Sequence, residues 1–202
     1  MPFGIVAASG WASGVNLYGT ALILGLAGRF GWAETPVGLQ RTWVLVVLGL
    51  LYALEFVVDK VPWLDSAWDA VHTVIRPVGG TLLGVALAHD AGSSEVLAGL
   101  IGGGFSLTAH GAKATTRATV NTSPEPFSNI ALSLGEDGVV AALMALALSY
   151  PVAGGVVAVV LTVASVAVSW LFVRAIRRLR HRWRQRRGRR RGAAIDDAAD
   201  DP

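Results

Sequence analysis

Residues 110–137 read HGAKATTRATVNTSPEPFSNIALSLGED, and this polar stretch sets the condition that the fold must meet. It follows the apolar segment 97–109 (LAGLIGGGFSLTA) and precedes the apolar segment 138–148 (GVVAALMALAL). Polar groups that lie beside hydrocarbon are costly unless they find partners. The sequence therefore predicts that this stretch meets other polar side chains inside the molecule.

The composition is typical of a membrane protein with a basic tail. Hydrophobic residues make up 53% and charged residues 15% of the 202 residues, whereas soluble domains usually carry about 25% charged residues. Eleven of the seventeen Lys and Arg residues are arginines of the segment 174–191, so the formal net charge of +3 originates in this tail. The absence of cysteine excludes a disulfide framework, thiolate catalysis and Cys-ligated zinc.

Apolar segments of about 20 residues predict helices that cross a bilayer. Strong segments of this kind occur at 3–27, 42–58, 127–148 and 152–173. Segment 71–88 is weaker because it contains His72, Arg76 and a Pro-Val-Gly-Gly break at Pro77, and segment 96–112 because it contains a Gly-Gly-Gly run. We interpret the two as a helical hairpin. We therefore predict an all-α polytopic transmembrane bundle of about six spans. In the alternative, four helices span the bilayer and the hairpin dips into it or lies on its surface.

This division predicts a transmembrane helical domain over residues 1–173 and a tail over residues 174–202. The tail is Arg-rich and ends in AAIDDAADDP, which is acidic and predicted to be disordered. Two alternative internal repeats fit the domain only weakly. One is a duplication of three helices with inverted topology, and the other is a match between the hairpins around Pro62 and Pro124.

The distribution of basic residues predicts the orientation in the membrane. Lys and Arg concentrate on the cytoplasmic side of such proteins, which places the tail there. An even number of spans then places the N-terminus on the same side. A cluster of arginines directly after a span is typical of a segment that binds anionic lipid head groups, and we expect that role, with no nucleic acid partner, for the tail.

Polar residues recur at helical spacing, which places them on common helix faces. Placed on facing helices, these faces form a closed charge network. We predict that the pathway of an ion or small polar solute is lined by Glu55, Asp59, His110, Lys113, Arg117, Asn121, Glu136 and Asp137. A second group of candidates comprises Asp65, Asp69, His72, Arg76, Glu125, Asn129 and Ser133.

Other interpretations of these residues stay open. A network can merely neutralise itself and fix helix register, although about ten ionisable groups exceed that need when each central charge costs about 2.5–3.5 kcal/mol. Asp65 is equally suited to cap the helix that starts after Pro62. Asp65, Asp69 and His72 also have the spacing of a divalent-cation site, so metal binding is left undecided.

The sequence contains no Gly-rich phosphate loop, no GxSxG and no HExxH motif. We expect neither an enzyme nor a bound cofactor. The first hypothesis is a small transporter or permease, and the second is a non-transporting scaffold or lipid-binding protein with a structural ion-pair network. An enzyme that acts on a lipid head group near Asp65, Asp69 and His72 ranks third.

Three long motifs resemble one known family. They are GVNLYGTALILGLAGRFG (14–31), EFVVDKVPWLDSAWDAVHTVIRPVGG (55–80) and HGAKATTRATVNTSPEPFSNIALSLGEDG (110–138). Together they are similar to a family of bacterial membrane proteins known as domain of unknown function 4126, over residues 4–173, with the tail outside the similarity. The resemblance implies an integral membrane protein and carries no established activity, substrate or catalytic residue.

Overall fold

The computed structural model describes residues 2–120 and 126–199, and over these ranges it confirms the predicted all-α fold. Side chains are described for residues 3–61, 63–120 and 127–178. The described backbone forms seven α-helices, a short 3₁₀ turn after the second helix, and no strand. The helices are α1 (Pro2–Val15), α2 (Leu17–Arg29), α3 (Thr42–Val58), α4 (Pro62–Asp90), α5 (Glu95–Val120), α6 (Pro126–Ser149) and α7 (Pro151–Ala199).

Three described helices are long and apolar enough to cross a membrane: residues Trp63–Asp90 of α4, Phe127–Ser149 of α6 and Pro151–Arg178 of α7. α3 has the bounds of the second predicted span, 42–58, but with 17 residues it is shorter than these three helices. The 26-residue α5 is long enough to cross but carries two buried cationic side chains. The length and composition of these helices indicate a membrane protein.

The outer faces of α3 and α7 support this conclusion because they are apolar. Leu50 and Val57 are exposed on α3, and Val160 and Leu171 are exposed on α7. Soluble monomers rarely expose contiguous apolar patches larger than a few hundred Å². The exposed surface of the bundle is therefore suited to hydrocarbon.

The first predicted span, 3–27, is wrong as a single helix because the chain breaks at Asn16. The backbone of Asn16 is extended, with φ −146° and ψ 98°, and its Oδ1 accepts a hydrogen bond of 2.8 Å from the amide of Gly19. Asn is among the residues that most favour the N-cap position. The side chain therefore starts α2 at the point where α1 ends.

After Asn16 the chain turns back, so α1 and α2 form a re-entrant hairpin. Ile5 near the start of α1, Gly28 near the end of α2 and Pro151 at the start of α7 line the same cleft. Asn16, at the tip, bonds instead to Asp137, halfway along α6. The 14 residues of α1 extend about 21 Å, which is about two thirds of a hydrocarbon core of about 30 Å.

The hairpin changes the expected placement of the N-terminus. Both termini were predicted on one side because the first segment was expected to cross the bilayer completely. In the structure the start of α1 packs against the start of α7, and a Cβ added to Gly155 would lie 2.8 Å from the Cα of Gly4. Arg174 lies 23 residues after Pro151, or about 35 Å further along α7. The start of α1 and Arg174 therefore lie at opposite ends of the apolar part of α7.

α1 is the centre of the bundle, because α4, α5, α6 and α7 all pack against it. Its core residues Val6, Ala8 and Ala12 are completely buried. Small residues permit this packing: a Cβ added to Gly10 would lie 2.8 Å from the Cα of Gly102, and one added to Gly80 would lie 2.8 Å from the Gly102 carbonyl oxygen. Three helices thus approach closely at one crossing, as small residues allow in membranes.

α4 continues through Pro77, whereas the sequence predicted a break at the Pro-Val-Gly-Gly segment. Proline cannot donate a hydrogen bond to the carbonyl four residues earlier. Membrane helices tolerate proline where neighbouring helices and hydroxyl side chains satisfy the local backbone. Here α1 and α5 pack closely against this part of α4: a Cβ added to Gly80 would lie 2.6 Å from Ser106 Cβ and 2.9 Å from Ser13 Oγ.

α7 is helical from Pro151 as far as Ala199, beyond the apolar segment predicted to be the last span. Arg and Ala are both strong helix formers, and they make up most of the segment after Val173. High helix propensity therefore continues the last span into the tail.

We expect Gly102→Val to destabilise the bundle, because the new side chain would collide with the backbone of α4. Overpacking a close crossing costs about 1–3 kcal/mol, which thermal unfolding of the detergent-solubilised protein measures as a lower midpoint. Gly104→Val is the matched control on the same helix, since no atom lies within 4 Å of a Cβ added there. Equal midpoints for the two variants would contradict the packing described at this crossing.

Candidate functional site

The first of two charge clusters is centred on Arg76 of α4, whose side chain is completely buried. Its guanidinium donates to Glu55 Oε1 at 2.6 Å and to Asp69 Oδ1 at 3.0 Å. Asp69 lies two turns earlier on α4, and Glu55 is in the last turn of α3. Helical periodicity and the α3–α4 connection thus bring two carboxylates to one cation.

His110 of α5 completes the first cluster. Its Nδ1 lies 2.9 Å from Arg76 Nη1, and its Nε2 lies 3.1 Å from the Thr73 hydroxyl. Arginine can only donate hydrogen bonds, so Nδ1 accepts. The contact therefore assigns His110 as a neutral imidazole with its proton on Nε2.

His72 joins this cluster to the re-entrant hairpin. Its Nδ1 lies 2.9 Å from the Trp68 carbonyl, and its Nε2 lies 3.0 Å from the hydroxyl of Tyr18 on α2. Because a carbonyl only accepts, Nδ1 donates, and in the neutral imidazole Nε2 then accepts from Tyr18. The hairpin is thereby bonded directly to the polar face of α4.

The second cluster contains the two cations of α5. Lys113 Nζ lies 2.7 Å from Asp59 Oδ2 and 3.6 Å from Glu136 Oε2. Arg117 pairs with Glu136, approaches Asp65 Oδ1 at 3.5 Å, and donates to the backbone carbonyl of Asp59 at 2.8 Å. The carboxylates of this cluster therefore come from α4, α6 and the end of α3.

Asn129 extends the second cluster along α6. Its Oδ1 accepts from Arg117 Nη1 at 2.9 Å, and its side chain is buried. Ser133, one turn further along α6, is 1% exposed, and its hydroxyl has no hydrogen-bond partner among the described residues. The polar face that the sequence predicted for α6 therefore turns toward the network.

The tip of the hairpin lies between the clusters and is held by their cations. Lys113 donates to the Val15 carbonyl at 3.1 Å, and Arg76 approaches the Gly14 carbonyl at 3.4 Å. The last carbonyls of a helix have no intrahelical donors and carry a partial negative charge. The cations therefore stabilise the end of α1, while Asn16 Nδ2 donates to Asp137 Oδ1 at 2.8 Å.

Carboxylates outnumber cations in the described network. Its three cationic side chains are Arg76, Lys113 and Arg117, and its six carboxyl side chains are Glu55, Asp59, Asp65, Asp69, Glu136 and Asp137. Glu55 Oε2, Asp59 Oδ1 and Asp69 Oδ2 are buried without a hydrogen-bond partner in the described structure. Uncompensated buried charge is costly, so the network is suited to take up positive charge.

Only α6 brings carboxylates of the described network toward the surface. The Glu136 side chain is 15% exposed, and Asp137 is also partly exposed. The flanking Gly135 and Gly138 have open space where a Cβ would lie. Access to the described charges is therefore easiest along this part of α6.

Two clefts lie elsewhere on the bundle. One, of about 910 Å³, is lined by both ends of the hairpin and includes Glu34 and Asp90. The other, of about 610 Å³, is an apolar groove between α1, α5 and α7. Neither is lined by a residue of the charge network, so the network is closed off from both.

The structure brings together most of the residues that were predicted from helical spacing. The primary candidates that meet in the clusters or at the hairpin tip are Glu55, Asp59, His110, Lys113, Arg117, Glu136 and Asp137. Secondary candidates that join them are Asp65, Asp69, His72, Arg76 and Asn129. Asn121 and Glu125 lie outside the described residues.

Asp65 does not cap α4, contrary to one of its two interpretations. The N-cap of α4 is Val61, and Asp65 is in the first turn of the helix, near Arg117. Proline at the first helical position explains the difference, because Pro62 starts the helix three residues earlier than Asp65. The Asp65 carboxylate faces Arg117 of α5.

The geometry also bears on the proposed metal ligands. Among the described residues, no group of three or more His, Cys, Asp or Glu side chains is placed to hold a metal ion. Asp69 is bonded to Arg76, and His72 is bonded to Tyr18 and Trp68. The spacing of Asp65, Asp69 and His72 therefore does not produce a metal centre.

Sequence reasoning missed the importance of Asn16 and Tyr18. Both lie in an apolar segment that was interpreted as one continuous span, so neither was included among the candidates. The available signal was the N-cap preference of Asn, placed directly before the helical segment LYGTALILGLAG. Arg76 was ranked as secondary, yet it is the centre of the first cluster.

These features define a helical membrane protein with a buried charge network and a re-entrant hairpin. Residues 3–171 match the family described as "Domain of unknown function (DUF4126)", and the chain belongs to that family. The match confirms the resemblance seen in the three sequence motifs. No curated protein and no solved structure matches the chain.

We expect Arg76→Gln to destabilise the protein strongly, because it leaves Glu55 and Asp69 buried without their cation. Breaking a buried ion pair in this way costs about 3–5 kcal/mol, measurable by thermal or denaturant unfolding in detergent. Adding Glu55→Gln to Arg76→Gln is expected to recover part of the loss. Arg41→Gln, at an exposed position, is the control, and a similar loss in that variant would argue against a special role for Arg76.

Proposed function

We propose that this protein is a small transporter or permease that moves an ion or a small polar solute across the bacterial inner membrane. The charge network would form its pathway, and the re-entrant hairpin would be the element that opens and closes it. The observation that carries the proposal is the contact of the hairpin tip with two cations of the network, Lys113 at the Val15 carbonyl and Arg76 at the Gly14 carbonyl.

Broken helices support this proposal by their known use in transporters. In such proteins, helix ends at the middle of the bilayer bind substrates and coupling ions, and irregular backbone occurs there only where it is buried or lines a cavity. Here the interruption at Asn16 lies against Lys113 and Asp137. The proposed pathway therefore passes the end of α1.

The excess of carboxylates supports a pathway more than a purely structural network. Register between helices requires few charges, whereas every ionisable group within a bilayer is costly and is a functional candidate. A network with more carboxylates than cations changes its charge when it binds a proton or a cation. This property is useful in transport and serves no purpose in a neutral scaffold.

Orientation follows from the same proposal. With the Arg-rich tail in the cytoplasm, the start of α1 would face the opposite side, because it and Arg174 lie at opposite ends of the apolar part of α7. Helices α3 to α7 would then cross the bilayer, and the α1–α2 hairpin would enter it from outside. This arrangement has five crossings, whereas the sequence predicted about six.

A second candidate is a non-transporting scaffold or lipid-binding protein with a structural ion-pair network. The observation in its favour is that Arg76, Lys113 and Arg117 are all paired and buried. Neither of the two clefts reaches these residues. A closed state of a transporter has the same appearance, so flux distinguishes the two candidates.

Glu136→Gln is expected to abolish flux of ions or small solutes in proteoliposomes and to leave membrane insertion intact. The reason is that Glu136 is the partly exposed carboxylate that pairs with Arg117 and approaches Lys113. Glu95→Gln is the matched control, because Glu95 is exposed in the turn at the other end of α5 and pairs with His89. Full flux in Glu136→Gln would exclude this residue from the pathway, and no flux in the wild type would favour the scaffold.

We also propose that the tail binds anionic lipid head groups. Arg174 lies over the ring of Trp170, 5.0 Å from its centroid, where the apolar part of α7 ends. Trp and Arg at this position are typical of a membrane interface, and each basic residue near an anionic surface adds about 1 kcal/mol of binding.

Deletion of residues 179–202 is expected to reduce the number of anionic lipids that stay bound to the protein in native mass spectrometry. The number of bound zwitterionic lipids should stay the same, because the deletion leaves the apolar surface of the bundle intact. Unchanged retention of phosphatidylglycerol would contradict the proposed role of the tail.

A further inference from the structure

We propose, building on the proposed transport function, that Asp137 is a proton-binding site and that its hydrogen bond to Asn16 is a proton-controlled latch on the re-entrant hairpin. The ligand of this site is the proton itself. When Asp137 is ionised the latch is closed, and when Asp137 takes up a proton the tip of the hairpin is released from α6.

The partner of Asp137 sets it apart from the other carboxylates. In the described part of the chain, the other carboxylates of the network each have a Lys or Arg nitrogen within 4.0 Å: Glu55, Asp59, Asp65, Asp69 and Glu136. Asp137 is bonded instead to the neutral amide of Asn16 at 2.8 Å. A carboxylate without an adjacent cation takes up a proton more readily than one in an ion pair.

The surroundings of Asp137 are mixed in charge. Lys113, Lys60 and Asp59 are the charged side chains whose fields act on Asp137, besides its hydrogen bond to Asn16. Tyr52 of α3 is near enough for its hydroxyl to be influenced by the charge of Asp137. The Asp137 side chain is partly exposed, whereas Glu55, Asp59, Asp65 and Asp69 are buried.

Asn16 couples the protonation of Asp137 to the hairpin. Its Oδ1 accepts from the amide of Gly19 and so caps α2, while its Nδ2 donates to Asp137. One side chain therefore holds both the start of α2 and the connection to α6. Hydrogen bonds to an ionised carboxylate are roughly twice as strong as those between neutral groups, so proton uptake weakens this connection and leaves the cap in place.

A proton fits this site better than a metal ion does. No group of three or more His, Cys, Asp or Glu side chains in the described ranges is placed for a metal. Asp137 offers one carboxyl group beside an amide, which is sufficient for a proton. Proton uptake there also reduces the excess of negative charge in the network.

Cysteine labelling tests the latch independently of transport. The chain contains no cysteine, so Leu17→Cys, buried beside the tip, provides a single thiol. The measured quantity is the rate at which this thiol reacts with a water-soluble maleimide, divided by the rate for Gly38→Cys. Gly38 is exposed, with open space around it, so the division corrects for the pH dependence of thiol reactivity. We expect this ratio to rise about fivefold between pH 8 and pH 5.

Two substitutions identify the groups that carry the pH dependence. Asp137→Asn is permanently neutral, so its ratio should be high and independent of pH. Asn16→Asp keeps a good helix cap but places two carboxylates side by side, and their repulsion should make the ratio rise with increasing pH, the reverse of the wild type. Asp90→Asn, at the exposed far end of α4, is the control and should behave as the wild type does.

The outcomes separate this inference from the proposed function. A ratio that does not change with pH in the wild-type background, or a pH dependence that survives in Asp137→Asn, overturns the latch even if proteoliposomes show flux. Absence of flux for ions and small solutes overturns the transport function, while the labelling ratio still decides whether the latch exists. The unfolding midpoints of Asp137→Asn and Asn16→Asp are measured as well. Midpoints within a few degrees of the wild type show that these variants retain the fold.

Discussion

The pairing of buried cations with carboxylates is the interaction on which the rest of the structure depends. Arg76, Lys113 and Arg117 are almost completely buried, and a charge in such surroundings is costly unless it is paired and hydrogen-bonded. Their partners come from α3, α4, α6 and the end of α1. Displacement of any one of these elements would leave a buried charge alone, so the network also fixes the register of the helices.

Close packing makes this pairing possible. The crossing of Gly10, Gly80 and Gly102 lets α1 lie between α4 and α5 at backbone distance. In this position the carbonyl of Val15, at the end of α1, accepts a hydrogen bond from Lys113. Larger residues at the crossing would move α1 outward, and the tip of the hairpin would lose its partners. Apolar packing and polar pairing are therefore two parts of one arrangement.

Local pattern predicted some elements well and others poorly. The bounds of α3 agree with the predicted segment 42–58, because an uninterrupted apolar run is a local property. From helical spacing, Glu55, Arg117 and Glu136 were also predicted to belong to one charge network. The continuous span 3–27 was wrong. Asn16 can occur within a helix, but here its side chain bonds to the Gly19 amide and to Asp137, and these bonds stabilise a break. The expected break at Pro77 was wrong because packing by α1 and α5 supports the helix there.

The sequence by itself determined the helical class, the apolar segments and the faces on which the charged residues lie, since each follows from the spacing of neighbouring residues. The tertiary structure alone decided that α1 and α2 turn back as a hairpin, which carboxylate pairs with which cation, and that Asp137 has a neutral partner. Asn16 and Asp137 are 121 residues apart in the chain. Contacts of that kind depend on how all the helices pack at once, and no local pattern of residues contains them.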